Sequence, residues 1–262
     1  MCKIPYKSKG KAMNKLFLIL AILISSVAHA GTIRPDVDEQ KYLDFGKDFF
    51  CVKQLLTIKE TEDEPIYGMA SCVVINKHWI ITAAHITKNE FDVIKVIIDG
   101  KSYCINKIIV NKNFTGDVGK GDIALGFCKE GFENVKLPQL YEEKIQVGQL
   151  CSIAGYGKYG NMVSGAKITD GKIRAGSNRI SYKYNDMVMC EASKTNQTTL
   201  EFLPNIGDSG GGLFVQGKLA AITCLIFGKN GKADSIYGDE AGFVEIYPYL
   251  EWIKNYVKKT EM

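Results

Sequence analysis

The sequence predicts an all-β fold, and three observations predict it. About a dozen short runs rich in Val, Ile, Leu and aromatic residues recur along the chain, separated by Gly, Asn and Asp turns. Helical periodicity is nearly absent until the C-terminus. The 232 residues after position 30 suit one large β domain or two packed barrels with a sizeable core. Many short strands with almost no helix indicate barrels or a sandwich.

The chain opens on a segment of another kind. Lys3, Lys7, Lys9, Lys11 and Lys15 precede an apolar run from Leu16 to Val27, and Ala28-His29-Ala30 supplies a small-x-small site. This predicts a secretory signal peptide over 1–30, cleaved after Ala30, and a secreted or periplasmic protein. The run holds 12 residues, short of the ~20 a membrane span needs, so no stable membrane insertion is expected after cleavage. Losing residues 1–30 removes five Lys and no acid, taking the formal charge from +4 to −1. Nothing in that balance calls for a nucleic-acid partner.

Residues 31–48 read as an extended, polar lead-in. Strands are expected over 51–58, 69–75, 91–98, 103–110 and 122–128, which together form a first half at about 45–135. The more polar 139–147 crosses between halves. The second half, about 145–246, repeats the texture at 150–156, 171–180, 187–192, 212–215, 219–227 and 242–246. One helix is predicted at 247–259: Pro248 is tolerated in its first turn, and Leu250, Ile253 and Val257 share a face.

Chemistry concentrates at Gly207-Asp208-Ser209-Gly210-Gly211. Flanking glycines let the backbone turn sharply and hold a hydroxyl clear of its neighbours. A Ser hydroxyl is a poor nucleophile unless a base lies in reach and a third group orients that base. Only three His exist. His29 leaves with the signal, and His78 precedes Trp79 in what reads as a surface turn. His85 follows a buried-looking run ending in two small residues, Ala83-Ala84. Asp122 enters an apolar run, Ile123-Ala124-Leu125, where a carboxylate is costly unless a polar group uses it. The rival acid, Asp117, lies in a loop with Gly116, Gly119 and Gly121 and reads as solvated.

Thr82-Ala83-Ala84-His85, Asp122-Ile123-Ala124-Leu125 and Gly207-Asp208-Ser209-Gly210-Gly211 resemble the three signatures of the chymotrypsin/trypsin family, in that family's order. A Gly-x-Ser-x-Gly alone also fits an α/β-hydrolase elbow, which needs a His after the Ser; none follows Ser209. The resemblance runs from about Cys51 to the C-terminus and leans toward bacterial secreted members. It implies two six-stranded antiparallel Greek-key barrels with a C-terminal helix, and a triad in the cleft between them. His85 and Asp122 would come from the first barrel and Ser209 from the second. It implies a serine endopeptidase acting on protein or peptide substrates, open to protein inhibitors and needing no cofactor or metal. The backbone N–H groups of Gly207 and Ser209 would form the oxyanion hole. A member that keeps the fold and has lost catalysis, serving as a binding protein, is the alternative.

The resemblance also places Leu203 at the floor of the substrate pocket, with Ile226 and Ala241 as walls, and so implies cleavage after medium apolar side chains. A one-residue slip would bring Glu240 into the wall and make basic side chains welcome. Asp208 matches the acid that pairs with a new amino terminus, here at Gly31 or after a trim at Ile33, although no Ile-Val-Gly-Gly sequence is present. Departures are Ile86 after the His, Asn205 and Gly212 around the Ser, and Cys224 where a Ser usually stands near the Asp. Seven Cys remain after residue 30, with no CxxC pair, so a metal site is not expected and at least one thiol is unpaired. Cys104 and Cys128 flank the Asp122 loop and are expected on neighbouring strands, close enough to bridge.

Overall fold

A computed structural model describes residues 28–29, 31–87, 91–116 and 119–258. The signal segment, apart from the Ala28–His29 backbone, and Asp117 lie outside the described residues. The chain begins with β1 (Ala28–His29), β2 (Gly31–Ile33) and helix α1 (Glu39–Gly46). The first β unit comprises β3 (Val52–Lys59), β4 (Ile66–Val74), β5 (Trp79–Thr82), β6 (Val93–Ile98), β7 (Lys101–Cys104), β8 (Lys107–Val110) and β9 (Ala124–Phe127). They pair antiparallel in the order β7-β6-β3-β4-β5-β9-β8. This half therefore has seven strands rather than six, and among the described residues its outer strands do not pair with each other.

The second unit begins with β10 (Leu150–Gly155), β11 (Tyr159–Asn161), β12 (Gly165–Ile168), β13 (Asp170–Lys172) and β14 (Arg174–Tyr184). It continues with β15 (Met187–Glu191), β16 (Phe202–Leu203), β17 (Gly212–Val215), β18 (Lys218–Phe227) and β19 (Glu240–Glu245). Six of these close a barrel, β10-β14-β15-β19-β18-β17. Helix α2 (Leu250–Lys258) follows a 3-10 turn containing Pro248. This is a chymotrypsin-like double-barrel architecture. The first core is built on Val52, Leu55, Val73, Ile80, Ile81 and Leu125, and the second on Ile153, Val188, Phe202, Leu213 and Phe243. Helix α2 buries Leu250 and Ile253, and its Tyr256 ring reaches Trp79 of the first unit at 6.3 Å.

The lead-in departs from expectation. Residues 31–48 are not simply extended: β2 is the inner strand of a small sheet, β12-β11-β2-β16, and α1 follows it. Asp38 caps α1 by accepting the Gln40 N–H at 2.9 Å. An eight-residue helix is marginal alone, so tertiary contacts decide it. Glu39 pairs with the fully buried Arg174, which also meets Asp170 at 3.2 Å and stacks on Tyr159 at 4.2 Å. Tyr42, fully buried, donates its hydroxyl to Glu201 O.

The expected Cys104–Cys128 bridge does not form. Cys128 is a buried free thiol, and β7 and β9 do not neighbour one another: β7 pairs with β6, while β9 pairs with β5 and β8. Cys151 and Cys190 are also free, with sulfurs 3.8 Å apart inside the second barrel.

Arg174→Ala would remove the buried guanidinium from Glu39 and from Asp170, 1% exposed at its side chain, and leave Asp170 the exposed Lys172 at 3.5 Å. Breaking a buried pair from one side costs ~3–5 kcal/mol. Chemical denaturation is expected to show that loss, with Arg174→Lys recovering only part of it because an ammonium lacks the planar fork.

Candidate active site

His85 occupies a single 3-10 turn, Ala84–Thr87, directly after β5. Ala83 and Ala84 are fully buried, as their size permits. Asp122 stands just before β9, the neighbour of β5, so the β5–β9 ladder delivers acid and imidazole side by side. Asp122 is completely buried. Its Oδ1 accepts the His85 backbone N–H at 2.7 Å, and its Oδ2 lies 2.7 Å from His85 Nδ1. A carboxylate only accepts, so Nδ1 carries the proton and Nε2 presents a lone pair. Nε2 lies 3.0 Å from Ser209 Oγ. The His85 side chain keeps 21% of its surface, which leaves one side of the array open.

Ser209 comes from the second unit, on the turn before β17. The Ser71 N–H in β4 donates to Ser209 O at 2.8 Å and ties that turn to the first unit. Ser71 Oγ donates to Gly207 O at 3.0 Å and accepts the Tyr156 N–H at 2.9 Å. The Lys158 N–H binds Ile206 O at 2.6 Å. In a trans peptide the N–H points opposite the C=O. The Gly207 N–H is thus left for the cavity that Gly207 and Ser209 line. Among the described residues no protein group accepts from the N–H of Gly207 or of Ser209. Gly207 has φ +98°, and a Cβ there would meet Gly157 Cα at 2.8 Å, so only glycine fits.

The cavity beside Ser209 has a volume of about 380 Å³. Met69, Ile86, Phe91, Ile206, Leu225 and Ile226 supply most of its apolar wall, and no carboxylate lines it. Of the three expected pocket residues, Ile226 reaches this cavity. Leu203 and Ala241 do not line it and are fully buried, Leu203 in β16 opposite Thr32 and Ala241 in β19 opposite Ile226. Glu240 faces elsewhere: it accepts the Tyr182 hydroxyl at 2.8 Å and lies 3.9 Å from Lys229. His78 is held by the carbonyl of Cys128, 2.9 Å from its Nδ1, at the far end of β5 from His85. Cys224 Sγ lies 3.3 Å from Gly242 O and 3.7 Å from Met187 Sδ.

Asp208 is buried beneath the Ser209 turn. Its Oδ1 accepts Gly157 N–H at 2.7 Å and its Oδ2 accepts Asn205 N–H at 2.8 Å. The Gly31 N–H is a further donor. Burial pushes the carboxyl up to about 7, against the pull of those three N–H groups and of Arg174. The sequence pointed to Asp208 and Gly31, but not to Ser71 or Arg174. A Ser inside a strand and a lone Arg carry no signal of their positions.

The trypsin family model matches residues 56–253, which span all three motifs. The chain belongs to the trypsin family. A solved structure of HL collagenase superposes with a TM-score of 0.63 at 17% identity, covering 82% of this chain and 94% of that one. At that identity the likeness concerns the fold. No curated protein matches the chain significantly.

Asp208 sets a pH dependence. Its pKa is 3.8 in the unfolded reference and about 7 in the fold, so its contribution to stability is full below pH 3.8 and is lost as pH rises to about 7. A chain extended ahead of Gly31 is expected to lose denaturant resistance between pH 4 and 7. A chain beginning at Gly31 places an ammonium beside the carboxylate and is expected to lose less. Equal slopes in the two chains would show that Gly31 and Asp208 do not interact.

Proposed function

We propose that this protein is a serine endopeptidase, secreted or periplasmic, that cleaves polypeptides through an acyl-enzyme. The observation that carries the reading is the unbroken hydrogen-bonded line from buried Asp122 through His85 to Ser209 Oγ, at 2.7 and 3.0 Å. Ser209 Oγ attacks the scissile carbonyl as His85 Nε2 takes its proton. His85 then gives that proton to the leaving amine, and Asp122 holds the tautomer and stabilises the imidazolium. The N–H groups of Gly207 and Ser209 stabilise the oxyanion, each worth ~3 kcal/mol. Water then hydrolyses the acyl-enzyme by the same steps in reverse order.

Signal cleavage after Ala30 fits this reading because it makes Gly31 the amino terminus beside Asp208. Gly31 has φ +57°, and a Cβ there would sit 2.2 Å from Phe202 Cζ, so the site takes glycine in that place. An ammonium bound to Asp208 steadies the turn that carries Gly207 and Ser209.

The apolar walls and the lack of a lining carboxylate favour medium apolar side chains before the cut. Selectivity among them is loose, since one methylene is worth ~1–3 kcal/mol. In a panel of peptides differing only at that position, Leu, Val and Phe are expected to be cleaved faster than Arg or Lys. The reverse order would overturn the pocket assignment.

Ser209→Ala is expected to abolish peptide hydrolysis and keep the fold. Asp122→Asn is expected to keep the fold and lower kcat by ~10⁴. Wild-type turnover in Ser209→Ala would end the mechanism. A wild-type chain inert toward every peptide, with Gly31 free, would favour the binding-protein alternative.

A further inference from the structure

The turn preceding Asp122 is held from the opposite barrel. Asp186 lies in the hairpin between β14 and β15 of the second unit. Its Oδ2 accepts the Gly121 N–H at 2.8 Å and the Tyr249 hydroxyl. Its backbone carbonyl accepts the Glu245 N–H at 2.9 Å, which fixes the hairpin on β19. The next residue, Met187, continues the contact: its Sδ and Cε lie 3.0 Å from where a Gly119 Cβ would stand. Gly119 O in turn accepts the Asp122 N–H at 3.1 Å. The backbone on the Asp122 side of Lys120 is therefore pinned by Asp186, and the next hairpin residue, Met187, packs close to Gly119 on the other side.

This arrangement meets a specific need. The stretch before Asp122 contains Gly116, Gly119 and Gly121, all with φ between +66° and +117°, and glycine-rich backbone orders itself poorly. Asp122 has His85 as its hydrogen-bonding side-chain partner, and the thiol of Cys224 is engaged with Gly242 O. The aim of the Asp122 carboxylate thus rests on where its own backbone is held.

We propose that Asp186 is a positioning residue for Asp122. By clamping Gly121 to the second barrel and to Tyr249, it holds the Asp122 carboxylate against both N–H groups of His85, and so sets the tautomer and tilt of the imidazole. The proposal rests on the protease reading for its kinetic consequence but not for its geometric one. Misplacement of a reacting group by ~1 Å costs up to ~10²-fold in rate.

The test uses the chain beginning at Gly31 and the variants Asp186→Ala, Asp186→Asn and Tyr249→Phe. Two readouts are taken: steady-state kinetics, and the low-field proton NMR signal of the His85 Nδ1–H held by Asp122. Asp186→Ala is expected to lower kcat ~10-fold or more with KM nearly unchanged, and to shift or broaden the low-field signal. Asp186→Asn, whose amide oxygen still accepts the Gly121 N–H, is expected to recover most of both. Tyr249→Phe, which removes only one hydroxyl, is expected to move both readouts the same way by less, and it carries the test should Asp186→Ala fail to fold. A lower Tm with an unmoved proton signal and wild-type kcat would overturn the proposal and leave Asp186 a purely structural residue. A protein that hydrolyses nothing but whose proton signal moves as expected would keep the clamp and defeat the protease reading.

Discussion

One buried carboxylate organises this molecule. Asp122 has no exposed surface and sits among apolar residues, where an isolated charge would be prohibitively costly. It is tolerated because two N–H groups of His85 converge on it. That requirement fixes the imidazole, and the fixed imidazole presents Nε2 to Ser209 Oγ of the other barrel at 3.0 Å. The β5–β9 ladder, the small residues before His85 and the cross-barrel hairpin all serve the same constraint. Aligning β5 with β9 brings Thr82 opposite Ala124, so the residues following one and preceding the other lie together.

The seam between barrels is polar around Ser71 and Ser209 and apolar where Phe49 meets Phe214. Ser71 bridges Gly207, Tyr156 and Ser209 by three hydrogen bonds, while Phe49 packs on Phe214 at 4.8 Å. A second buried acid, Asp208, lies below the Ser209 turn with N–H donors from three separate segments. It couples the amino-terminal strand to the loop bearing Ser209. Arg174 stabilises the same corner by holding α1 against β14. The strand at Gly31 and the Ser209 turn are thus parts of one buried polar network, and such networks are costly when incompletely satisfied.

The strands and the three motifs were legible because they carry local signals. Alternation, turn residues and the triplets around His85, Asp122 and Ser209 need no knowledge of distant contacts. What was not legible depended on distant contacts. Helix α1 has a weak apolar face, and Arg174, more than a hundred residues later, decides it. The Cys104–Cys128 expectation failed because both residues flank one loop yet their strands pair with different neighbours. Leu203 and Ala241 were expected in the pocket, but they pair in strands opposite Thr32 and Ile226 and are fully buried, outside the cavity lining. Asp186 reads as an ordinary hairpin residue, and only its contact with Gly121 gives it meaning.

In the proposed mechanism buried Asp122, acting through His85, makes Ser209 a nucleophile. The most direct measurement is the rate at which a fluorophosphonate adds to Ser209, followed by intact mass and peptide mapping, in the chain beginning at Gly31. One adduct per molecule is expected, located on Ser209 and forming far faster than in Asp122→Asn. Adduct formation at the same slow rate in both chains, or on a different residue, would contradict that mechanism.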